Sequence, residues 1–143
     1  MFTMLLSAIV VSIFYSVYII NYKNLNNFKE KSSQINQIRL ISTLLEKDFN
    51  AANQITFDSH LKFYQNDSLK SGYKFNDEYI LRTFNASIDT FNLQVFDISK
   101  SFLKISDKKE LISKLHFKIK SKKTYNFSFS KVYDAKQLIL WEE

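Results

Sequence analysis

Residues 1–52 read MFTMLLSAIVVSIFYSVYIINYKNLNNFKEKSSQINQIRLISTLLEKDFNAA, and how this stretch is read decides the fold. It contains neither Gly nor Pro, so nothing in it ends a helix once begun. Met1–Ile20 carries no charge, and its polar side chains, Thr3, Ser7, Ser12 and Ser16, are each small enough to hydrogen-bond back to the helix backbone. About twenty residues at about 1.5 Å each cross the roughly 30 Å of a bilayer's hydrocarbon. The spacing predicts one helix over Met1–Ala52, on the order of 75 Å long, apolar all round at its start and two-sided afterwards.

Three readings compete for the apolar start: a retained membrane anchor, a cleaved secretory signal and a buried core helix. A signal shows a basic beginning, a shorter apolar run and a small-residue cleavage site, whereas here Tyr15, Tyr18 and Tyr22 stand where that site belongs. Length and uniformity favour the anchor. Ser12 and Ser16 lie four apart, with Ala8 one turn earlier, and such a stripe lets helices approach closely in a bilayer. The plainer alternative is that small residues are simply frequent.

From Phe28 onward, Phe28, Ile35, Ile38, Ile41, Leu45, Phe49 and Ala52 fall on one face, as expected for a helix laid on its own domain. Leu40 and Leu44 point away from that face and are one turn apart, forming a narrower ridge. They are either scattered surface leucines or a contact with a neighbouring subunit.

After Ala52 the period changes to two. Gln54–Phe57 and His60–Tyr64 flank Asp58-Ser59, and Tyr73–Asn76 and Tyr79–Phe84 flank Asp77-Glu78, two expected hairpins. Asp67–Gly72 reads as a polar connection. Phe91, Leu93 and Val95 alternate with polar residues, and Phe102–Ile105 is a short strand. Ser113 to Ile119 and Tyr125 to Phe129 alternate most cleanly, joined by Lys122-Lys123, and Val132–Trp141 is open between strand and helical turn. The fold class is therefore α+β, a long helix packed on an antiparallel sheet of about six or seven strands. Its parts are 1–22 (membrane half of the helix), 23–53 (amphipathic half) and 54–143 (sheet domain).

Composition agrees with one packed domain. The chain has 143 residues, 45% of them hydrophobic and 16% aromatic, too apolar for a disordered segment. Gly72 is the single glycine and proline is absent, so tight turns rely on Asn, Asp and Ser. The absence of cysteine leaves the redox compartment open. The net charge of +6 is thinly spread. Lys114, His116, Lys118, Lys120 and Lys122 share parity and line one side of a strand and its turn. That ridge suits a polyanion, but a solvated face, or an edge strand guarded by lysine against sheet-to-sheet pairing, explains it more simply. Nucleic acid is not the expected partner, since no aromatics interleave on that face.

Catalysis finds no support. His60 and His116 are the only histidines and have no partner at metal-ligand spacing, and Asp77-Glu78 is a turn pair. Glu46 and Asp48 diverge on the helix, and one glycine cannot build a phosphate-cradling loop. No enzyme, metal or cofactor is expected.

The apolar run MLLSAIVVSIFYSVY, the helix end LLEKDFNAA, and the passages YKFNDEYILRTF and IDTFNLQVF together resemble the type IV pilins and the pseudopilins of type II secretion. The likeness lies in the plan of the whole chain rather than in a strict motif. It is nearest to short minor-pseudopilin-like proteins of Gram-negative bacteria. It implies a non-enzymatic structural subunit held in the inner membrane with its sheet domain in the periplasm. The partners implied are other pilin or pseudopilin subunits through the helix, an inner-membrane assembly platform, membrane lipid and a prepilin peptidase. On this likeness Ser12 and Ser16 allow close helix approach and Leu40 and Leu44 contact a neighbour. Two departures stand out. Leu6 occupies the place of the family's early glutamate if Phe2-Thr3 begins the mature chain. Lys23, Lys29 and Lys31 all follow the span, which by the positive-inside rule puts the domain in the cytoplasm. Both are resolved if a basic leader and a few mature residues precede Met1 in the gene. The alternative is a single-pass membrane protein whose domain binds a ligand or adaptor and never polymerises, and a third is DNA capture through the lysine ridge.

Overall fold

The computed structural model describes residues 2–106 and 109–135. Helix α1 spans Phe2–Ala51 without interruption, as the lack of Gly and Pro leads one to expect. The chain divides into two units, Met1–Asn36 and Gln37–Glu143. Helix alone makes up the first, and no described side chain in it is buried. Phe28 and Ile35 are 68% and 46% exposed, so the core-facing stripe begins at Ile38 and not at Phe28.

In the second unit the rest of α1 meets eight strands. These are β1 (Gln54–Phe57), β2 (Leu61–Gln65), β3 (Ser68–Phe75), β4 (Ile80–Phe84), β5 (Ser87–Phe91), β6 (Gln94–Ser106), β7 (Lys109–Lys120) and β8 (Thr124–Ser130). They form two antiparallel sheets, β1-β2-β3-β4-β5 and β6-β7-β8, where a single sheet of six or seven strands was expected. The α+β class stands. The division falls inside Phe91–Val95, read above as one strand. There Leu93 N–H donates to Phe91 O at 2.9 Å, a tight turn between β5 and β6, while Phe91, Leu93 and Val95 stay buried on either side of it. Alternating burial thus mimics a strand at the point where the chain changes sheets.

The turns show why Asp67–Gly72 is no loop. Asn66 (φ 50°) and Asp67 (φ 60°) make a two-residue hairpin turn, and the strand resumes at Ser68. Gly72 has no positive φ and sits mid-strand opposite Lys62 and Thr83. Left-handed backbone is supplied instead by Asn and Asp, whose short side chains tolerate it. The exception is Ala86 (φ 66°), which follows Asn85 (φ 45°) in the β4–β5 turn. An L-residue with a Cβ is strained there and glycine is not, so Ala86→Gly should raise stability by about 0.5–1 kcal/mol in denaturant unfolding. Unchanged or lower stability would show the turn to be unstrained. The first hairpin is one residue looser than expected, because Phe57 pairs with Leu61 around Asp58, Ser59 and His60.

Ile38, Ile41, Leu45 and Phe49 of the helix, with Ala52 just past its end, share one core with Ile55, Leu61, Phe63, Tyr73 and Ile80 of the larger sheet. From the smaller sheet Ile112, Leu115, Phe117 and Ile119 complete it. Phe49 is its aromatic hinge, edge-on to Phe63 at 5.2 Å and stacked on Phe129 at 5.5 Å. The last turn of α1 holds no basic residue of its own. Lys131, just beyond β8, donates to Asn50 O at 3.3 Å and supplies the cation that a helix C-terminus favours. Of the tail expected at Val132–Trp141, Tyr133 is buried and donates to Ile112 O at 2.6 Å, and residues 136–143 lie outside the described residues.

Candidate functional site

The apolar helix start comes first. An 18-residue window within α1 near the N-terminus has a mean hydropathy of 2.2 and is 0% buried, long and apolar enough to cross a membrane. This is no core helix, because its side chains have no interior to enter. Ser7 donates to Met4 O and Ser16 to Ser12 O, both at 2.9 Å, so these hydroxyls are satisfied within the helix. Ser12 and Ser16 are exposed. At the far end Tyr18 and Tyr22 stack at 6.3 Å, followed by Lys23, the residue types favoured at a membrane surface.

Leu40 and Leu44 are separated by the structure. Leu40 is 51% exposed, whereas Leu44 is half-buried and packs against the core. The lysine ridge is placed differently from either simple expectation. Lys114, His116, Lys118 and Lys120 lie on β7, which is the central strand of its sheet, so the guarded-edge explanation fails. Their cross-strand neighbours on β8 are Ser130, Ser128, Asn126 and Thr124, all exposed, which makes a wet sheet face. Lys118 is neutralised by Asp97 at 2.6 Å, and this ammonium holds the Asp97 carboxyl below its ordinary value. Asp97 reaches it from a bulge in β6 at a φ of 56°. Lys122 lies beyond the strand, in the turn to β8.

Sequence reasoning missed a polar cluster inside the larger sheet. Register sets Tyr73 opposite Arg82 and Arg82 opposite Asp89, a row across β3, β4 and β5 on the face turned to the helix. Asp48 descends onto this row from α1. Its Oδ2 accepts from Ser71 Oγ at 2.9 Å, Tyr73 Oη at 2.5 Å and Arg82 Nη2 at 3.2 Å. Arg82 Nε also donates to the Tyr73 hydroxyl at 2.9 Å, and Nη1 lies 3.6 Å from Asp89 Oδ2. The Asp48 and Arg82 side chains are only 11% and 8% exposed, so their charges depend on each other. Burial pushes the Tyr73 phenol far above its ordinary value, and its bond to the Asp48 carboxylate adds to that.

Beside this cluster opens a groove of about 430 Å³. Leu44, Ala51, Phe63 and Phe84 give it an apolar lining, to which Asp48, Ser71 and Arg82 add polar groups, with Lys47 contributed by α1 and Lys70 by β3. Lys70 is there because of a bulge: Phe63 pairs with Ser71 and Tyr64 with Leu69, leaving Lys70 as the extra residue. The Arg82 guanidinium lies 4.7 Å over the Phe84 ring.

Set beside known proteins, the chain matches no family model, no curated protein and no solved structure. What the structure establishes is an α+β chain with one long N-terminal helix, apolar enough at its start to cross a membrane, followed by antiparallel sheet. That element order is pilin-like in general plan.

Proposed function

We propose that this chain is a non-enzymatic, membrane-anchored structural subunit of a type II secretion or type IV pilus-type assembly, comparable to a minor pilin or pseudopilin. The supporting observation is that the apolar half of α1 is wholly unburied while the same helix, from Ile38, becomes the core of a folded sheet domain. A surface of that kind suits lipid before assembly and other subunits' helices after it. On this reading the anchor sits in an inner membrane and the sheet domain in the periplasm. Partners would be homologous subunits and the assembly platform. Cysteine pairs placed at Ser12 and Ser16 should crosslink in cells to several homologous subunits; crosslinks to none of them would exclude assembly and leave a solitary anchor.

The leucine ridge refines the test. Because Leu44 packs on the core, an aspartate there would damage the monomer, so only Leu40 is a clean probe. Leu40→Asp should leave the unfolding free energy within about 0.5 kcal/mol of wild type, as for exposed sites generally, and reduce incorporation into the assembly. Wild-type incorporation would remove Leu40 from the subunit contact. The competing reading, a single-pass protein with a ligand-binding domain, draws on the groove beside Asp48.

A further inference from the structure

We infer that the groove between the end of α1 and the bulge of β3 binds a small amphiphilic carboxylate. Its apolar body would lie against Leu44, Phe63 and Phe84, and its anion between Lys47 and Lys70. Size is the first support: about 430 Å³ falls within the range of small-molecule sites, about 300–1,000 Å³.

Charge is the second. Of the charged residues at the groove, Asp48 and Arg82 neutralise one another at 3.2 Å. Lys47 and Lys70 have no ion-pair partner among the described residues, and both line the groove, one from α1 and one from β3. Two like charges lining one groove with apolar walls favour an anion there. At the helix end, Asp48 O accepts from Ala52 N–H at 3.0 Å and Asn50 O from Lys131 Nζ at 3.3 Å, so two of the terminal carbonyls are engaged and a further cation stands at that end.

Backbone is the third. The bulge brings Lys70 to the groove by adding a residue to β3, a device sheets use to re-aim one side chain. An ordinary ladder from Ser68 to Phe75 would need no such residue.

The test does not depend on assembly. Full-length protein, ¹⁵N-labelled in nanodiscs of zwitterionic phospholipid, is titrated with 3-phenylpropionate, with 3-phenylpropanol and with inorganic phosphate. Empty nanodiscs serve as the blank. The carboxylate should give saturable shifts at the side-chain amides of Gln65 and Asn85, which line the groove, with a Kd on the order of 1 mM for a ligand of about eleven non-hydrogen atoms. The alcohol and phosphate, each carrying half of the recognition, should bind at least about tenfold more weakly. Lys47→Gln with Lys70→Gln should weaken the carboxylate by about tenfold or more. Ala51→Leu, which fills the groove, should abolish its shifts. The inference is overturned if the alcohol or phosphate binds as well as the carboxylate, if the lysine variant retains full affinity, or if no saturation occurs by about 20 mM, well above that expected Kd.

Discussion

Asp48→Ala should cost about 3–5 kcal/mol, the range for removing one partner of a buried ion pair. The variant strands the Arg82 guanidinium, which is 8% exposed on its side chain, and deprives Ser71 and Tyr73 of the oxygen to which both donate. Asp89, 3.6 Å from Arg82 and half-exposed, offers only a weakened substitute. Removing the polar set together reads the energetics differently. Asp48→Leu combined with Tyr73→Phe and Arg82→Met leaves no buried charge and should recover most of the loss, since apolar replacements of buried ion pairs are often neutral or better. Denaturant unfolding of both variants checks this. A single-variant loss under about 1 kcal/mol would mean that solvent already carries the charge of Arg82.

Alkali should unfold the domain by a route that begins at two tyrosines. Burial raises both phenols, Tyr73 with help from the Asp48 carboxylate, Tyr133 against a small opposing contribution from the Ile55 backbone. A raised folded-state pKa means that the folded chain keeps its proton after the unfolded chain has lost it. The stability the two protons provide is therefore complete below the unfolded value of about 10 and drains away as pH rises toward the folded values. Each group contributes a slope of up to about 1.4 kcal/mol per pH unit, so the pair loses about 3 kcal/mol for each unit above about pH 10. Lys100 and Lys131, whose pKa values burial lowers, act in the opposite direction and offset part of this loss. Tyr73→Phe and Tyr133→Phe should each flatten the pH dependence of the melting temperature. Tyrosinate absorbance should show both phenols ionising only with unfolding. Ionisation of Tyr73 and Tyr133 near pH 10 in folded protein would refute the account.

The candidate site was partly legible before the fold was known. A hairpin centred on Asp77-Glu78 already implies that Tyr73 faces Arg82, and the structure has that register. Asp89 joins the row only through the second hairpin at Asn85-Ala86, which alternation did not announce because β5 is exposed along most of its length. Asp48 was harder still. On the helix it diverges from Glu46, and nothing local says that a sheet with a hydroxyl, a phenol and a guanidinium lies beneath it. The lysine ridge shows the converse: strand parity correctly placed its β7 members on one face, but whether that strand was edge or centre depended on pairings made elsewhere in the chain. Lys70 reached the groove through a bulge that no local pattern marks.

The sequence by itself determined the helix, its apolar beginning, the stripe from Ile38 to Ala52 and the two cleanest strands. Each of these follows from periodicity or from the absence of breakers, properties carried by neighbours along the chain. Only the tertiary structure decided that the strands fall into two sheets, that the stripe stops short of Phe28 and Ile35, and that Asp48, Tyr73 and Arg82 meet beside a groove. These depend on which distant segments pack together, and burial is a property of that packing rather than of any residue's neighbours in sequence.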